Sequence, residues 1–242
     1  ARYLAKKMPD VSITTSSDIT REWREFERAN TAVLNAYIQP IVLKYFNNLE
    51  NKLNSMGIKC NFTAMQSNGG TTSFTWAKKH PITLVESGPA AGVNGAVLVG
   101  NLSNKKNIIY FDVGGTTTKC ALIKDGIPSV TSEYKLEWDK FNPGYPIRVP
   151  VTDLIEIGAG GGSIAWFDQG GSLRVGPQSA GADPGPACYD KGGTEPTITD
   201  AKLVTGIINP NNFASGQFNL NKKLATKAIS KIAKKLNTNV SN

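Results

Sequence analysis

The sequence predicts an α/β fold, and three observations carry that reading. Between residues 20 and 56, apolar side chains recur at helical spacing: Trp23, Phe26, Val33, Leu34, Tyr37, Ile38, Ile41, Val42, Tyr45, Phe46, Leu49 and Leu53. Short β-branched and aromatic runs, above all 108–111 and 120–123, read as strands. Glycine clusters at 69–70, 114–115 and 158–162 stand at strand exits, where an α/β sheet keeps its ligands.

The chain opens on a helical scrap, and the β-branched residues 11–15 read as a short strand. Asp18 or Thr20 can cap the helical region that follows, with Glu22 and Glu25 suited to its first turns. Pro40 predicts a kink there or a break into two helices, Gly57 is the stop, and the aromatic stripe is expected to be core. A second strand over 60–65 leads into Gln66-Ser-Asn-Gly-Gly70, then a short helix over 73–79 stopped by Pro81. His80 is expected at the surface. As the sole histidine it excludes a Ser-His-Asp triad or a multi-histidine metal site within the chain.

Small residues Ala90, Ala91, Gly92, Gly95 and Ala96 predict a helix that sits close against either a neighbouring element or a ligand. Beyond residue 126 a strand over 129–138, a proline-rich loop over 141–150 and a hairpin turning at 168–171 follow. Residues 176–193 carry five glycines and three prolines, a loop of a length that is functional or ordered around a ligand. Asp200 caps a helix from Ala201, and a narrow apolar stripe among six lysines forms the last helix, either solvated or docked on something absent. Three segments follow: 1–106 helix-rich, 107–220 glycine-rich and 221–242 a terminal helix, expected to form one compact unit.

The net charge is +8, yet the 8 basic and 12 acidic side chains of residues 107–220 make the centre acidic and leave the excess at the ends. Without basic and aromatic interleaving, nucleic acid is not an expected partner. No apolar run approaches the ~18 residues of a membrane span and no leader is visible, so no membrane role is expected. Cys60, Cys120 and Cys188 are scattered, which fits reduced thiols in a cytoplasm.

The stretch richest in chemistry is 107–126. Its first run ends at Asp112, then come Gly114, Gly115, Thr116, Thr117 and Thr118, then the second run. Two glycines let a phosphate approach the backbone, the threonines offer hydroxyls and N–H donors, and Asp112 is a hard ligand for Mg²⁺, directly or through water. A nucleotide polyphosphate fits, although glycine-threonine turns also join strands with no ligand. Neither a P-loop nor a dinucleotide fingerprint is present. Gly158, Gly160, Gly161, Gly162 and Ser163 form a second cluster, suited to a backbone lying against a flat or anionic ligand.

Four blocks resemble the hydantoinase A, 5-oxoprolinase and acetone carboxylase β-subunit group. They are Met65-Gln-Ser-Asn-Gly-Gly70, Ser87-Gly-Pro-Ala-Ala-Gly-Val93, Phe111-Asp-Val-Gly-Gly-Thr-Thr-Thr118, and the long block from Glu156 through Val175-Gly-Pro-Gln-Ser-Ala-Gly-Ala-Asp-Pro-Gly-Pro-Ala-Cys-Tyr189 to Thr197. The resemblance implies an actin-like, ribonuclease-H-like ATPase fold, present in part, with a mixed sheet flanked by helices. It also implies ATP and Mg²⁺ as cofactors, with Asp112 organising the metal and residues 114–118 and 158–163 holding the nucleotide. Gln178, Ser179 and Asp183 would approach substrate or a hydantoinase B-type companion subunit. The activity implied is ATP-dependent opening of a small cyclic amide. The alternatives are ketone carboxylation, or a nucleotide-binding module inert on its own. Lys119 stands where the family commonly has an acidic residue, so it either contacts phosphate or shows that the acid is dispensable.

Overall fold

The computed structural model of the chain describes residues 1–138, 141–216 and 218–240. In order, the elements are α1 (Arg2–Lys7), α2 (Ser16–Ile19), α3 (Glu25–Ser55), β1 (Thr63–Met65), β2 (Thr71–Ser73), α4 (Phe74–Lys79), α5 (Ser87–Leu102), β3 (Ile108–Val113), β4 (Thr118–Lys124) and β5 (Ile127–Pro128). There follow β6 (Val130–Thr131), β7 (Tyr134–Leu136), β8 (Tyr145–Ile147), β9 (Val151–Thr152), β10 (Ile155–Ile157), β11 (Ser163–Phe167), β12 (Leu173–Ser179), α6 (Ile198–Val204) and α7 (Lys222–Lys235). The chain divides into two units, Ala1–Tyr110 with Ala121–Asp153, and Phe111–Cys120 with Leu154–Asn242, so it changes unit within both strands of the β3–β4 hairpin.

The sheets are small: β4 lies between β3 and β10 with β5 also beside it, and β1–β2, β6–β9, β7–β8 and β11–β12 are pairs. Among the described residues the pairings with a defined register are antiparallel, where a mixed sheet was expected. Many of these strands are a few residues long and joined by tight turns, whereas a parallel neighbour needs a crossover of about a dozen residues.

In the first unit α3 runs unbroken through Pro40, where the sequence predicted a kink or a break. A proline inside a helix costs roughly 3 kcal/mol. Burial on both sides of it overrides that cost. Leu34 and Ile38 pack on a core of Ile82, Ile147, Val149 and Val151, and Val42 and Leu49 pack around Phe46, Phe74 and Ala77. The aromatic stripe is not all core, as was expected: Phe26, Tyr37 and Ile41 are 72%, 76% and 70% exposed. Apolar residues occupy two sides of this helix, and only one side has a core to face.

Toward its N-terminal end α3 also buries two polar side chains, Thr31 and Asn35. Thr31 Oγ1 donates to Glu27 O at 2.7 Å and accepts from Arg148 N at 2.9 Å. Asn35 Nδ2 donates to Thr14 Oγ1 and Lys79 O, both at 3.1 Å, and its Oδ1 accepts from Ile82 N at 3.2 Å. These side chains pin the helix to backbone that has no ladder partner of its own. Residues 11–15 form no strand, contrary to expectation; Thr14 is held by side chains of α3.

His80 is buried, at 9% exposure, where the surface was expected, and its ring stacks on Trp76 with centroids 4.0 Å apart. Burial pushes its pKa down, opposed by the contact of Nδ1 with Trp76 O. The small residues of α5 serve packing at Gly92 and Gly100. A Cβ there would sit 2.1 Å from Tyr110 Oη and 2.2 Å from Ile108 Cδ1, so the glycines let β3 approach the helix.

The second unit is built on the β11–β12 hairpin, α6 and α7. Its core joins Cys188, Leu203, Leu220 and Ala225, with Tyr189, Phe213 and Phe218 packed around them. The stripe of α7 therefore docks on α6 and the turn Ala187–Tyr189 of the same unit, with Ala225, Ala228 and Ala233 buried. Asp200 is fully buried, and its carboxylate accepts from Ala187 N, Cys188 N, Thr197 N and Thr197 Oγ1. That one side chain ties the glycine-rich loop to the start of α6. Beside it the Cys188 thiol is held well above the ordinary thiol range, by burial first and then by the Asp200 charge.

Two outcomes are expected. Asn35→Leu leaves the buried Ile82 N without its partner and removes one of the two side-chain donors to Lys79 O, the other being Gln39 Nε2; it should lower unfolding free energy by about 2 kcal/mol in urea titration, and a loss under about 0.5 kcal/mol would show those bonds to be idle. Because the folded pKa of His80 lies below its ordinary 6.5, the stability it contributes is whole above pH 6.5 and is lost as pH falls through the folded value. The urea midpoint should drop as pH falls below 6.5, and His80→Gln should flatten that drop.

Candidate phosphate-binding turn

The turn between β3 and β4 is narrow: Gly114 N donates to Thr117 O at 2.9 Å, leaving Gly115 and Thr116 at the tip. Gly114, Gly115 and Thr116 are exposed, Thr117 half-buried, Thr118 buried, and Asp112 exposed at the end of β3. The second glycine cluster lies directly against this tip. Gly161 N donates to Gly114 O at 2.9 Å and Gly162 N donates to Gly115 O at 2.7 Å. Thr118 Oγ1 donates to Ala159 O from the other strand of the hairpin.

Those bonds fix the direction of the remaining donors. In a planar trans peptide the N–H points opposite to the preceding C=O. With the carbonyls of Gly114 and Gly115 aimed into the 158–163 segment, the N–H groups of Gly115 and Thr116 are aimed away from it. Among the described residues no hydrogen bond reaches either N–H. Two adjacent outward amides on an exposed glycine turn make an anion-accepting edge.

The segment 158–163 is itself held from behind. Ser163 is fully buried, with Oγ accepting from Gly160 N at 2.8 Å. Thr199, at the start of α6, donates to Gly161 O from both N and Oγ1 at 2.8 Å, and Ala180 N donates to Gly162 O at 2.8 Å. A Cβ on Gly160 would lie 2.7 Å from Gly115 O, one on Gly161 2.8 Å from Thr199 Oγ1, and one on Gly162 2.9 Å from Ser179 Oγ. In this structure, then, these glycines lie against the first turn and its supports. Gly158 is exposed and its side-chain space is open, with Pro177 Cβ at 3.9 Å the nearest atom.

The other residues singled out in the sequence are placed less centrally. Ser179 faces Ser163 across the β11–β12 pair and its Oγ accepts from Gly181 N at 3.1 Å. Gln178 and Asp183 are exposed, and no hydrogen bond among the described residues joins them to the turn. Thr199 was missed. Its signal was legible as Thr197-Ile-Thr-Asp200, a capping box whose reciprocal bonds both form.

No group of three or more His, Cys, Asp or Glu side chains suited to a metal occurs among the described residues. A single carboxylate beside a phosphate edge is nevertheless the donor set that Mg²⁺ uses with nucleotides. A cavity of 920 Å³ in the first unit is elsewhere, lined by Asp18, Arg21, Trp76 and His80 among others. The turn is an open edge, not a cavity.

Gly160→Ala pushes a methyl group into backbone and should loosen the turn. Amide exchange at Gly161 and Gly162 is expected to speed up about tenfold or more by hydrogen-exchange NMR. Gly158→Ala should leave it unchanged, and equal effects of the two would refute the stacking.

The family model for hydantoinase/oxoprolinase matches residues 28–242. An uncharacterized protein of Methanocaldococcus jannaschii is 43% identical, over 99% of this chain and 36% of its own length. In three dimensions the chain is similar to the crystal structure of ATP-dependent caprolactamase from Pseudomonas jessenii, with a TM-score of 0.77, 35% identity and coverage of 99% of this chain and 34% of that one. It is similar also to nucleotide-free acetone carboxylase, with a TM-score of 0.73, 30% identity and coverage of 99% and 33%. The chain thus spans about a third of the length of each of these relatives. A match of this extent, over both the sequence and the fold that presents the turn, places the chain in the hydantoinase/oxoprolinase family.

Proposed function

We propose that this chain carries the second phosphate loop of an actin-like, ATP-dependent cyclic-amide hydrolase. The observation that carries the reading is the pair of outward N–H groups at Gly115 and Thr116, one turn beyond Asp112, on a tip locked from behind by residues 158–163. Similarity to a caprolactamase described as ATP-dependent supports the substrate class, since caprolactam is a cyclic amide.

An unstrained amide carbonyl is a poor electrophile. Mg-ATP, when bound, would supply the remedy: transfer of its γ-phosphoryl group to the carbonyl oxygen would release ADP and make the carbon electrophilic, and attack of water there would expel inorganic phosphate and open the ring at the C–N bond. The residues here do the positioning. Gly114, Gly115, Thr116, Thr117 and Thr118 form the edge for the phosphates, with N–H donors at the tip and a hydroxyl at Thr116. Asp112 holds Mg²⁺, directly or through water. Gly158 lies open toward the nucleotide, while Gly160, Gly161, Gly162 and Ser163 keep the edge rigid. Gln178, Ser179 and Asp183 border the substrate or a companion subunit. Phosphoryl transfer depends chiefly on such positioning and on charge stabilisation, so preorganised backbone donors are the appropriate equipment.

The open edge also supports a shared site, closed by another half of the longer polypeptide or by a hydantoinase B-type companion. The caprolactamase relative is named as a subunit. The similarity to acetone carboxylase favours a second reading, in which the same edge activates an enolate for carboxylation. No helix of the described residues is long and apolar enough to cross a membrane. Use of ATP and the free thiols at Cys60, Cys120 and Cys188 favour a cytoplasmic setting.

Titration calorimetry of the chain with Mg-ATP should show metal-dependent binding that Asp112→Asn weakens at least about tenfold with the melting curve unchanged. Binding unaltered by that change removes Asp112 from the site; no binding at all supports an inert module. In the full-length protein, ATP turnover stimulated by a lactam or hydantoin supports the hydrolase. Stimulation only by a ketone with bicarbonate supports the carboxylase.

A further inference from the structure

Lys119 is the residue of the hairpin that the reading above leaves without a role. Its position is fixed from both sides. The bond from Gly114 N to Thr117 O sets the hairpin register, in which residue 112 falls opposite residue 119. On the other edge of β4, Lys119 pairs directly with Glu156 of β10, and its Nζ lies 3.9 Å from Glu156 Oε2. Directly opposed residues of an antiparallel sheet share a face. Asp112, Lys119 and Glu156 therefore form one row across three strands, with the cation in the middle. The neighbouring Thr118 is buried, so the row lies on the other face. The Lys119 side chain is 20% exposed and that of Glu156 50%, which leaves the charges only partly screened by water.

We propose that Lys119 is a positioning residue that makes metal capture at Asp112 conditional on bound phosphate; the inference rests on the phosphate-edge reading. Two carboxylates and one ammonium leave the row a net charge of −1. Mg²⁺ gives up its water reluctantly and takes few protein ligands, so a row of that charge does not retain the free ion. A polyphosphate on the adjacent N–H groups brings the missing negative charge together with its own metal. The metal then arrives as part of the nucleotide complex, and Asp112 stays directed by Lys119 until it does. An acidic side chain at 119 would place three carboxylates in line, an arrangement strained by like charge and relieved by a divalent ion without nucleotide.

The test is titration with MnCl₂ in the absence of nucleotide, followed by the electron paramagnetic resonance of free Mn²⁺. The wild-type chain should bind no more tightly than the millimolar range, and Lys119→Arg should behave the same. Lys119→Asp should bind at least about tenfold more tightly, with Lys119→Met between, an effect that shrinks as salt is raised. Adding Asp112→Asn to Lys119→Asp should abolish the gain. The proposal is overturned by sub-millimolar binding to wild type, by equal affinity in folded Lys119→Asp and Lys119→Met, or by a gain that survives loss of Asp112. If Lys119→Asp does not fold, Lys119→Met carries the comparison. Mg-ATP calorimetry on the wild type keeps the two readings separate: a Mn²⁺ response without ATP binding leaves the row standing and removes the phosphate edge. ATP binding without a Mn²⁺ response does the reverse.

Discussion

The site depends on one contact, the docking of one glycine-rich backbone on another. Gly161 N and Gly162 N take up the carbonyls of Gly114 and Gly115. Everything proposed for the turn follows from that engagement, because a peptide whose C=O is fixed has its N–H fixed as well. Were the same turn unsupported, its amides would sample many directions, and ordering them would fall to the ligand. Here the ordering is done in advance by Thr199, Ala180 and Ser163, which hold the second backbone in place. The function of four consecutive small residues at 160–163 is thus one step removed from the phosphate. They permit an approach that any larger side chain at 160 would block.

The sequence showed the hairpin, its aspartate and both glycine clusters, because glycine and β-branched residues report backbone requirements that act over a few positions. It misassigned what the second cluster touches. Glycines announce close approach and do not say of what; a ligand and a neighbouring turn leave the same pattern. Asp200 was read as the cap of a helix from Ala201, whereas α6 starts at Ile198 with Thr197 as its cap and Asp200 in the first turn. Its larger task, accepting from Ala187 N and Cys188 N some twelve residues earlier, depends on how the loop returns, which no local pattern records.

The long helix shows the same limit in its packing. Aromatic and aliphatic residues recur on α3 at helical spacing, and the sequence places them all in a core. The structure divides them, because a helix cannot bury more faces than it has neighbours. Leu34, Ile38, Val42, Phe46 and Leu49 meet the two cores of the first unit, and Phe26, Tyr37 and Ile41 do not. Asn35, a poor helix former, was passed over, yet it serves two backbone groups and the Thr14 hydroxyl at once. Its value comes from the carbonyl of Lys79 and the amide of Ile82, whose need for a partner arises only after the chain has turned at Pro81.

Charge at the hairpin follows from the register as the amides follow from the docking. Lys119 read alone is an exception to a motif. Set in a row between Asp112 and Glu156, it is the element that keeps two carboxylates on one face without mutual repulsion. On the function proposed above, the turn would have separate devices for the two halves of a metal nucleotide: fixed N–H groups for the phosphate and a compensated carboxylate for the ion. Neither is strong alone. A neutral amide edge on an acidic segment holds anions weakly, and a carboxylate with an ammonium across the strand holds cations weakly. Selectivity for the pair over either partner is what that proposal entails, and it would come from mutual weakness, with no need for a deep cavity at this edge.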